Sequence, residues 1–200
     1  MKRLVFGGSF NPVHNGHVAL LRALCDLVRP DVVTVVPSYL PVHKQVGNDY
    51  ADGSHRLAMC KLAFEAPGVE ISDMELRQKR PCYTVDTLTA IRREHPEDEL
   101  YLACGSDMFL TFHEWRRYRR IYELAVICAV SRGDRLSEMA AYAHEQAKLG
   151  MRSLISEADP VVLSSTEIRQ KIRLGQSVSA LLPPRVWEYI AQNGLYREDS

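Results

Sequence analysis

Short apolar runs alternate with stretches of helical periodicity along most of this chain, and that alternation restricts its fold more than any other feature. Residues 3–6, 32–36, 69–72, 99–104, 125–130 and 161–163 are β-branched or continuously apolar and are bounded by Pro, Gly or Asp, which predicts buried strands. Between them, Leu21, Leu24 and Val28 recur at helical spacing until Pro30 stops the run, and residues 54–66, 84–95, 134–149, 165–175 and 184–193 behave similarly. Strand and helix in turn predict an α/β fold, a Rossmann-like doubly wound parallel sheet of five or six strands with helices on both faces. Ligands of such sheets collect beyond the carboxyl ends of the strands, so the turn after the first strand is where a nucleotide is expected. The least periodic stretches, 37–53 and 73–83, are expected as mobile loops near that site.

A chain of 200 residues, 46% of them hydrophobic, can bury a full core, and one domain over 1–200 is expected, with a C-terminal helical portion at about 165–195. Lys plus Arg and Asp plus Glu number 25 each, so no global field draws the chain to nucleic acid or membrane, and any anion site must be local. The five cysteines are odd in number, never in CxxC spacing and mostly inside apolar runs, the pattern of buried thiols in a reducing compartment. No run reaches the roughly 18 apolar residues of a membrane span, and the apolar part of MKRLVFGG is too short for a signal peptide. The expected location is the cytoplasm.

The stretch GGSFNPVHNGH, residues 7–17, follows the first apolar run directly. Gly7 and Gly8 are expected to let the backbone leave the strand in conformations closed to other residues and to let a ligand approach the main chain. Asn15 is expected as the N-cap of a helix beginning at Gly16, whose first-turn N–H groups and dipole favour an anion. His14 and His17, three apart, then lie on one side of the forming helix, each with a donor for a phosphate oxygen. A glycine turn whose histidines only pack or cap is the other reading. Near the far end, Leu163 to Arg169 has the spacing of a capping box, with Ser164 as N-cap and Glu167 reaching back. Arg169, about one turn in, can swing its guanidinium toward an anion at the same N-terminus. No GxxxxGK[ST] occurs, which disfavours P-loop chemistry.

GGSFNPVHNGH and SSTEIR together resemble the signature of the nucleotidyltransferases with an HxGH motif, here His14-Asn15-Gly16-His17. PVHK at 41–44, His55-Arg56, PCYTVDT at 81–87, GSD at 105–107, Trp115 and NGLY at 193–196 extend the likeness over nearly the whole chain. With them the sequence is similar to the bacterial nicotinate-nucleotide adenylyltransferase family. That resemblance implies adenylyl transfer from ATP to nicotinate mononucleotide, giving deamido-NAD and pyrophosphate, with Mg²⁺ carried on the nucleotide and no protein metal ligands. It implies His14 and His17 as catalytic phosphate ligands, and Gly8, Ser9 and Phe10 as backbone contacts to the α-phosphate region. Gly105 and Asp107 match the ribose site, Arg132 the adenine border, and Ser165, Thr166 and Arg169 the pyrophosphate-binding helix start. Lys44 is implied as a further phosphate contact. Trp115 stacks on the pyridine ring, whose carboxylate meets N–H donors from Thr84, in the Tyr83-Thr84 segment, and Arg116.

The sequence departs from the family pattern in Asn11 where Asp is usual, Arg116 where Tyr is common, and Ser131-Arg132-Gly133 where Arg-Pro-Gly is frequent. Alternative readings are adenylyl transfer to nicotinamide mononucleotide or another phosphomonoester, and a nucleotide-binding regulator, which should lack one of the histidines. Asp107 reads equally as an N-cap. The run Trp115 to Arg120 interleaves aromatics with cations, as a nucleic-acid surface does, but at zero net charge a solvated helix face is expected. The expected partners are small molecules, with neither nucleic acid nor membrane, in a monomer or homodimer.

Overall fold

The computed structural model describes residues 1–40, 47, 49–131, 135–157 and 163–197. Its strands are β1 (Lys2–Gly8), β2 (Val32–Pro37), β3 (Val69–Ile71), β4 (Glu99–Gly105), β5 (Ala125–Ser131) and β6 (Ser153–Glu157). They form one parallel sheet in the order β3-β2-β1-β4-β5-β6. The helices are α1 (Asn15–Val28), α2 (Gly53–Ala63), α3 (Met74–Gln78), α4 (Thr84–Glu94), α5 (Ser106–Leu110), α6 (Tyr118–Leu124), α7 (Leu136–Ala147), α8 (Ser165–Arg173) and α9 (Pro184–Gln192).

Successive residues of a strand point to opposite faces, and two cores result. Leu4 and Phe6 of β1 with Val126, Cys128 and Val130 of β5 join residues of α1, α2, α8 and α9 on one face. Val5 with Ala125, Ile127 and Ala129 joins residues of α4, α5, α6 and α7 on the other. The chain winds outward from β1 in one direction and from β4 in the other, so the two adjacent strands diverge at their carboxyl ends. That switch point is where a doubly wound sheet opens a crevice.

Several expectations need correction. Among the described residues the last strand is Ser153–Glu157; of the expected strand 161–163, residues 161 and 162 lie outside the described residues, and Leu163 is in no strand. β6 is an edge strand in which Ser153 and Ser156 flank Leu154 and Ile155, so its apolar run is only two residues long. The 73–83 stretch, expected as a loop, contains α3. Residues 106–124 hold α5, a 3₁₀ turn at Phe112–Glu114 and α6, all too short to leave a helical period in the sequence. Among the described residues no helix is long and apolar enough to cross a membrane. All five cysteines are unbridged, and burial pushes the Cys60 and Cys128 thiols up to about 12, which makes them packing groups rather than nucleophiles.

Candidate active site

The opening turn solves its geometry differently from the glycine expectation. Neither Gly7 nor Gly8 has a positive φ; the left-handed residue is Phe10, at φ 46°. Gly8 is required instead by close approach, because an added Cβ would meet the Phe10 ring at 2.9 Å. Phe10 is held in its unfavourable conformation by its ring, which is buried edge-on against Phe6 and Phe64 at centroid distances of 5.4 and 5.8 Å.

Beyond it, α1 begins at Asn15, and its N-cap is His14, not Asn15. Asn15 turns its side-chain amide to the Ala180 carbonyl, 3.0 Å away. The two histidines cap each other's backbone. His17 N–H donates to His14 Nδ1 at 3.3 Å, and His14 N–H donates to His17 Nδ1 at 3.2 Å. The rings stack at 3.7 Å. Since both Nδ1 atoms accept, each neutral ring carries its proton on Nε2, the nitrogen on the other edge. Both residues line the cavity described below, so capping and a ligand-facing donor are compatible in one side chain.

Burial lowers the His14 imidazole to about 4, outweighing the hydrogen bond to its own backbone, which acts upward. The ring is therefore neutral at pH 7. A folded-state value below the ordinary 6.5 means that the unfolded chain binds this proton first. His14's contribution is complete above about pH 6.5 and is lost as the pH falls through about 4. Between pH 7 and 4.5 the loss should be about 2.5 kcal/mol. In His14→Asn, which keeps an acceptor at the cap, that part of the acid sensitivity should vanish. Denaturant unfolding of both proteins at the two pH values checks this; equal pH dependence would mean that His14 is not held neutral.

The second helix start faces the same turn. Ser164 occupies the N-cap of α8, but the expected capping box is absent: no side chain bonds the cap, and Ser165 Oγ instead donates to the Pro12 carbonyl at 3.0 Å. The Ser164 and Glu167 side chains thus leave the first-turn N–H groups of α8 uncapped. Arg169 donates from Nε to Asp49 Oδ2 at 2.7 Å and from Nη1 to the Asn11 carbonyl at 2.9 Å. Its hydrogen bond holds the Asp49 carboxyl below the usual carboxylate range. Asn11 Oδ1 accepts from Ala51 N–H at 3.0 Å and from the Tyr196 hydroxyl at 2.8 Å. Asp49 and Tyr196 were not singled out as site residues from the sequence.

On the other side of the switch point, β4 ends at Gly105, which is the N-cap position of α5, so Asp107 is a first-turn residue and not the cap. Asp107 is 61% exposed and pairs with Arg135 Nη1 at 2.5 Å. Farther along, Trp115 lies flat on Phe112 at 4.5 Å and 13°. Thr84 opens α4, where no side chain bonds the cap. Thr87 Oγ1 donates to Glu75 Oε1 at 2.6 Å, and burial pushes the Glu75 carboxyl upward. Glu75 is a third group that sequence reasoning missed.

One cavity of about 730 Å³ joins these parts. Gly8, Ser9, His14, His17, Gly105, Asp107, Ser165, Thr166, Arg169, Thr84 and Trp115 line it, as do Asp49 and Glu75. Phe10, Tyr83 and Arg116 do not: the Phe10 ring is in the core, and the Arg116 guanidinium sits 4.4 Å above the Tyr83 ring. Lys44 and Arg132 lie outside the described residues. Among those described, no group of three or more His, Cys, Asp or Glu is placed to hold a metal ion.

A parallel sheet whose switch point is flanked by a histidine-bearing and an arginine-bearing helix start defines a nucleotidyltransferase of the α/β class, and residues 5–171 match the family model described as cytidylyltransferase-like. The chain is 35% identical over 196 residues to a probable nicotinate-nucleotide adenylyltransferase of Carboxydothermus hydrogenoformans, covering 96% of each. It is 34% identical over 205 residues to that of Neisseria meningitidis, covering 99% of this chain and 100% of the relative. The chain belongs to the nicotinate-nucleotide adenylyltransferase family. Its fold is that of the Plasmodium falciparum nicotinic acid mononucleotide adenylyltransferase, solved with APC and with NaAD. TM-scores are 0.76 for both, at 17% and 18% identity, with 98% of each chain covered.

Proposed function

We propose that this protein transfers the adenylyl group of ATP to nicotinate mononucleotide, giving deamido-NAD and pyrophosphate. The observation that carries the reading is the convergence of the α1 and α8 N-termini, with His14, His17 and Arg169, on one cavity that extends to Trp115 and Thr84. The first end suits a triphosphate and the second an aromatic ring bearing an anion.

The mononucleotide phosphate attacks the α-phosphorus in line and pyrophosphate departs, so no covalent enzyme intermediate is needed. The Nε2–H groups of His14 and His17 and the backbone around Gly8, Ser9 and Phe10 bind oxygens of the transferring phosphoryl group. Ser165, Thr166 and Arg169 hold the leaving pyrophosphate, and Gly105 and Asp107 the ribose. Asp49 and the Asn11 carbonyl orient Arg169 for that task. Histidine, arginine and amide donors fit phosphate oxygens, not a metal, so a Mg²⁺ ion would be held by the nucleotide's own phosphates. There it would offset charge on the departing group. Lys44 and Arg132 are proposed as phosphate and adenine contacts from the family pattern alone.

A pyrophosphate-release assay with ATP and a panel of phosphomonoesters tests the reading. Nicotinate mononucleotide should be the preferred acceptor, ahead of nicotinamide mononucleotide, pantetheine phosphate and glycerol phosphate; another preferred acceptor would overturn the substrate assignment. In the same assay Arg169→Ala should weaken ATP binding and slow turnover, and Arg169→Lys should recover only part, because a point charge cannot reproduce a forked contact. Arg119→Ala is the control. Full activity in Arg169→Ala would leave residues 164–169 as a helix start only.

A further inference from the structure

Arg56, on α2, is 1% exposed and is the largest fully buried side chain among the described residues. It has no ion-pair partner among them. Its guanidinium donates only to backbone carbonyls: Nε to Ala51 at 2.9 Å, Nη1 to Ser9 at 2.9 Å and Ser38 at 2.5 Å, and Nη2 to Tyr39 at 2.9 Å. The Tyr50 ring covers it at 4.6 Å. A cation buried without a countercharge is strongly unfavourable, and attaching α2 to the core needs only an apolar side chain.

The carbonyls it engages supply the reason for a charge. In a trans peptide the C=O and N–H of one unit point in opposite directions, and among the described residues the only cis bond is Asn11-Pro12. When Arg56 draws the carbonyls of Ser9, Ser38 and Tyr39 to itself, the N–H groups of Phe10, Tyr39 and Leu40 must point away from it. Phe10 and Tyr39 do not themselves line the cavity, but each of the three peptide units has one residue, Ser9, Ser38 or Leu40, in its wall, so the units stand at the cavity edge with their N–H groups turned from Arg56. The two segments are also tied to each other, Ser38 N–H donating to the Gly8 carbonyl at 2.9 Å. A cation on the oxygen end of a peptide polarises its N–H toward an anion at the other end.

We propose that Arg56 is a positioning residue that orients and polarises the Phe10, Tyr39 and Leu40 amides toward the substrate phosphates without touching them. The proposal rests on the adenylyl-transfer reading above. It separates the two strand-end loops from α2 as parts: the loops carry the donors, and the helix supplies the charge that aims them.

The test compares wild type, Arg56→Lys and Arg56→Met below their melting temperatures, by calorimetric titration with an uncleavable ATP analogue, methylene-bridged between the α and β phosphorus atoms, and by steady-state kinetics. Arg56→Met should bind the analogue and turn over about 10²-fold less well, the usual scale for a misplaced donor set. Arg56→Lys, which keeps the charge but not the fork, should recover only part. A folded Arg56→Met with wild-type analogue affinity and turnover would overturn the proposal. If Arg56→Met does not fold, Arg56→Lys decides, with wild-type affinity as the contradicting result. Nitrogen-15 spectra of the wild-type protein give a reading free of folding: the saturating analogue should move both the Phe10 amide and the Arg56 guanidinium signals, and an unmoved guanidinium signal contradicts the relay. A wild-type protein that binds the analogue but does not turn over with nicotinate mononucleotide would sink the functional reading and leave the Arg56 binding result to stand or fall separately.

Discussion

His17→Asn should lower turnover by about 10²–10³-fold, the usual effect of losing one donor to developing charge, while the protein unfolds at nearly the wild-type temperature. The reason lies in the two edges of the ring. Nδ1 of His17 accepts the His14 N–H and closes the reciprocal cap of α1. An asparagine Oδ1 stands the same number of bonds from the backbone as the histidine Nδ1 and can accept the same N–H in that inner position, but nothing in asparagine reaches where Nε2 stood. His17→Ala removes both edges and should add a stability loss of about 1 kcal/mol to the same loss of turnover. Steady-state kinetics and thermal unfolding of the three proteins separate the roles. Near-normal turnover in His17→Asn would reduce the pair to a helix cap.

The second large effect concerns nicotinate against nicotinamide. One face of Trp115 is covered by Phe112, so a pyridine ring would stack on the opposite face. Nearby, the start of α4 presents backbone N–H groups that no side chain caps. Donors alone suit a carboxylate. A carboxamide must aim its NH₂ at an N–H or leave a donor unpaired, and sites built on hydrogen bonds reject such analogues by up to about 10⁴–10⁵-fold. The expected result is a strong preference in kcat/KM for nicotinate mononucleotide. Trp115→Ala should raise KM for the mononucleotide more than for ATP, since only one substrate stacks there. The Arg116 guanidinium is engaged by Tyr83 and does not line the cavity, so Arg116→Ala should change this preference less than Trp115→Ala changes KM. Equal efficiency with acid and amide in the wild-type enzyme would overturn this view of the pocket.

Most of the sheet was legible because β1, β2, β4 and β5 are covered on both faces, which forces continuous apolar runs in sequence. β6, an edge strand paired only with β5, carries no such run. The histidine pair and Arg169 were legible because titratable groups at helix starts beside glycines and serines have few purely structural uses. Their second partners were not. Asparagine is the better N-cap by propensity, and only the folded turn shows His14 in that place with Asn15 turned to Ala180. Asp49 meets Arg169 from 120 residues away. His55-Arg56 reads in sequence as the polar start of a helix, and its burial depends on three separate loops folding over it. Glu75 belongs to a five-residue helix that leaves no periodic trace.

The central claim is direct passage of the ATP α-phosphorus to the phosphate of nicotinate mononucleotide. Its most direct test is a single-turnover experiment with ATP labelled at the α-phosphorus, quenched in acid and resolved into nucleotides and polypeptide. The account predicts that the label appears in the nicotinate dinucleotide as ATP disappears, with none on the polypeptide. Label that stays in ATP in the presence of the mononucleotide, or that becomes fixed to the polypeptide, would contradict it.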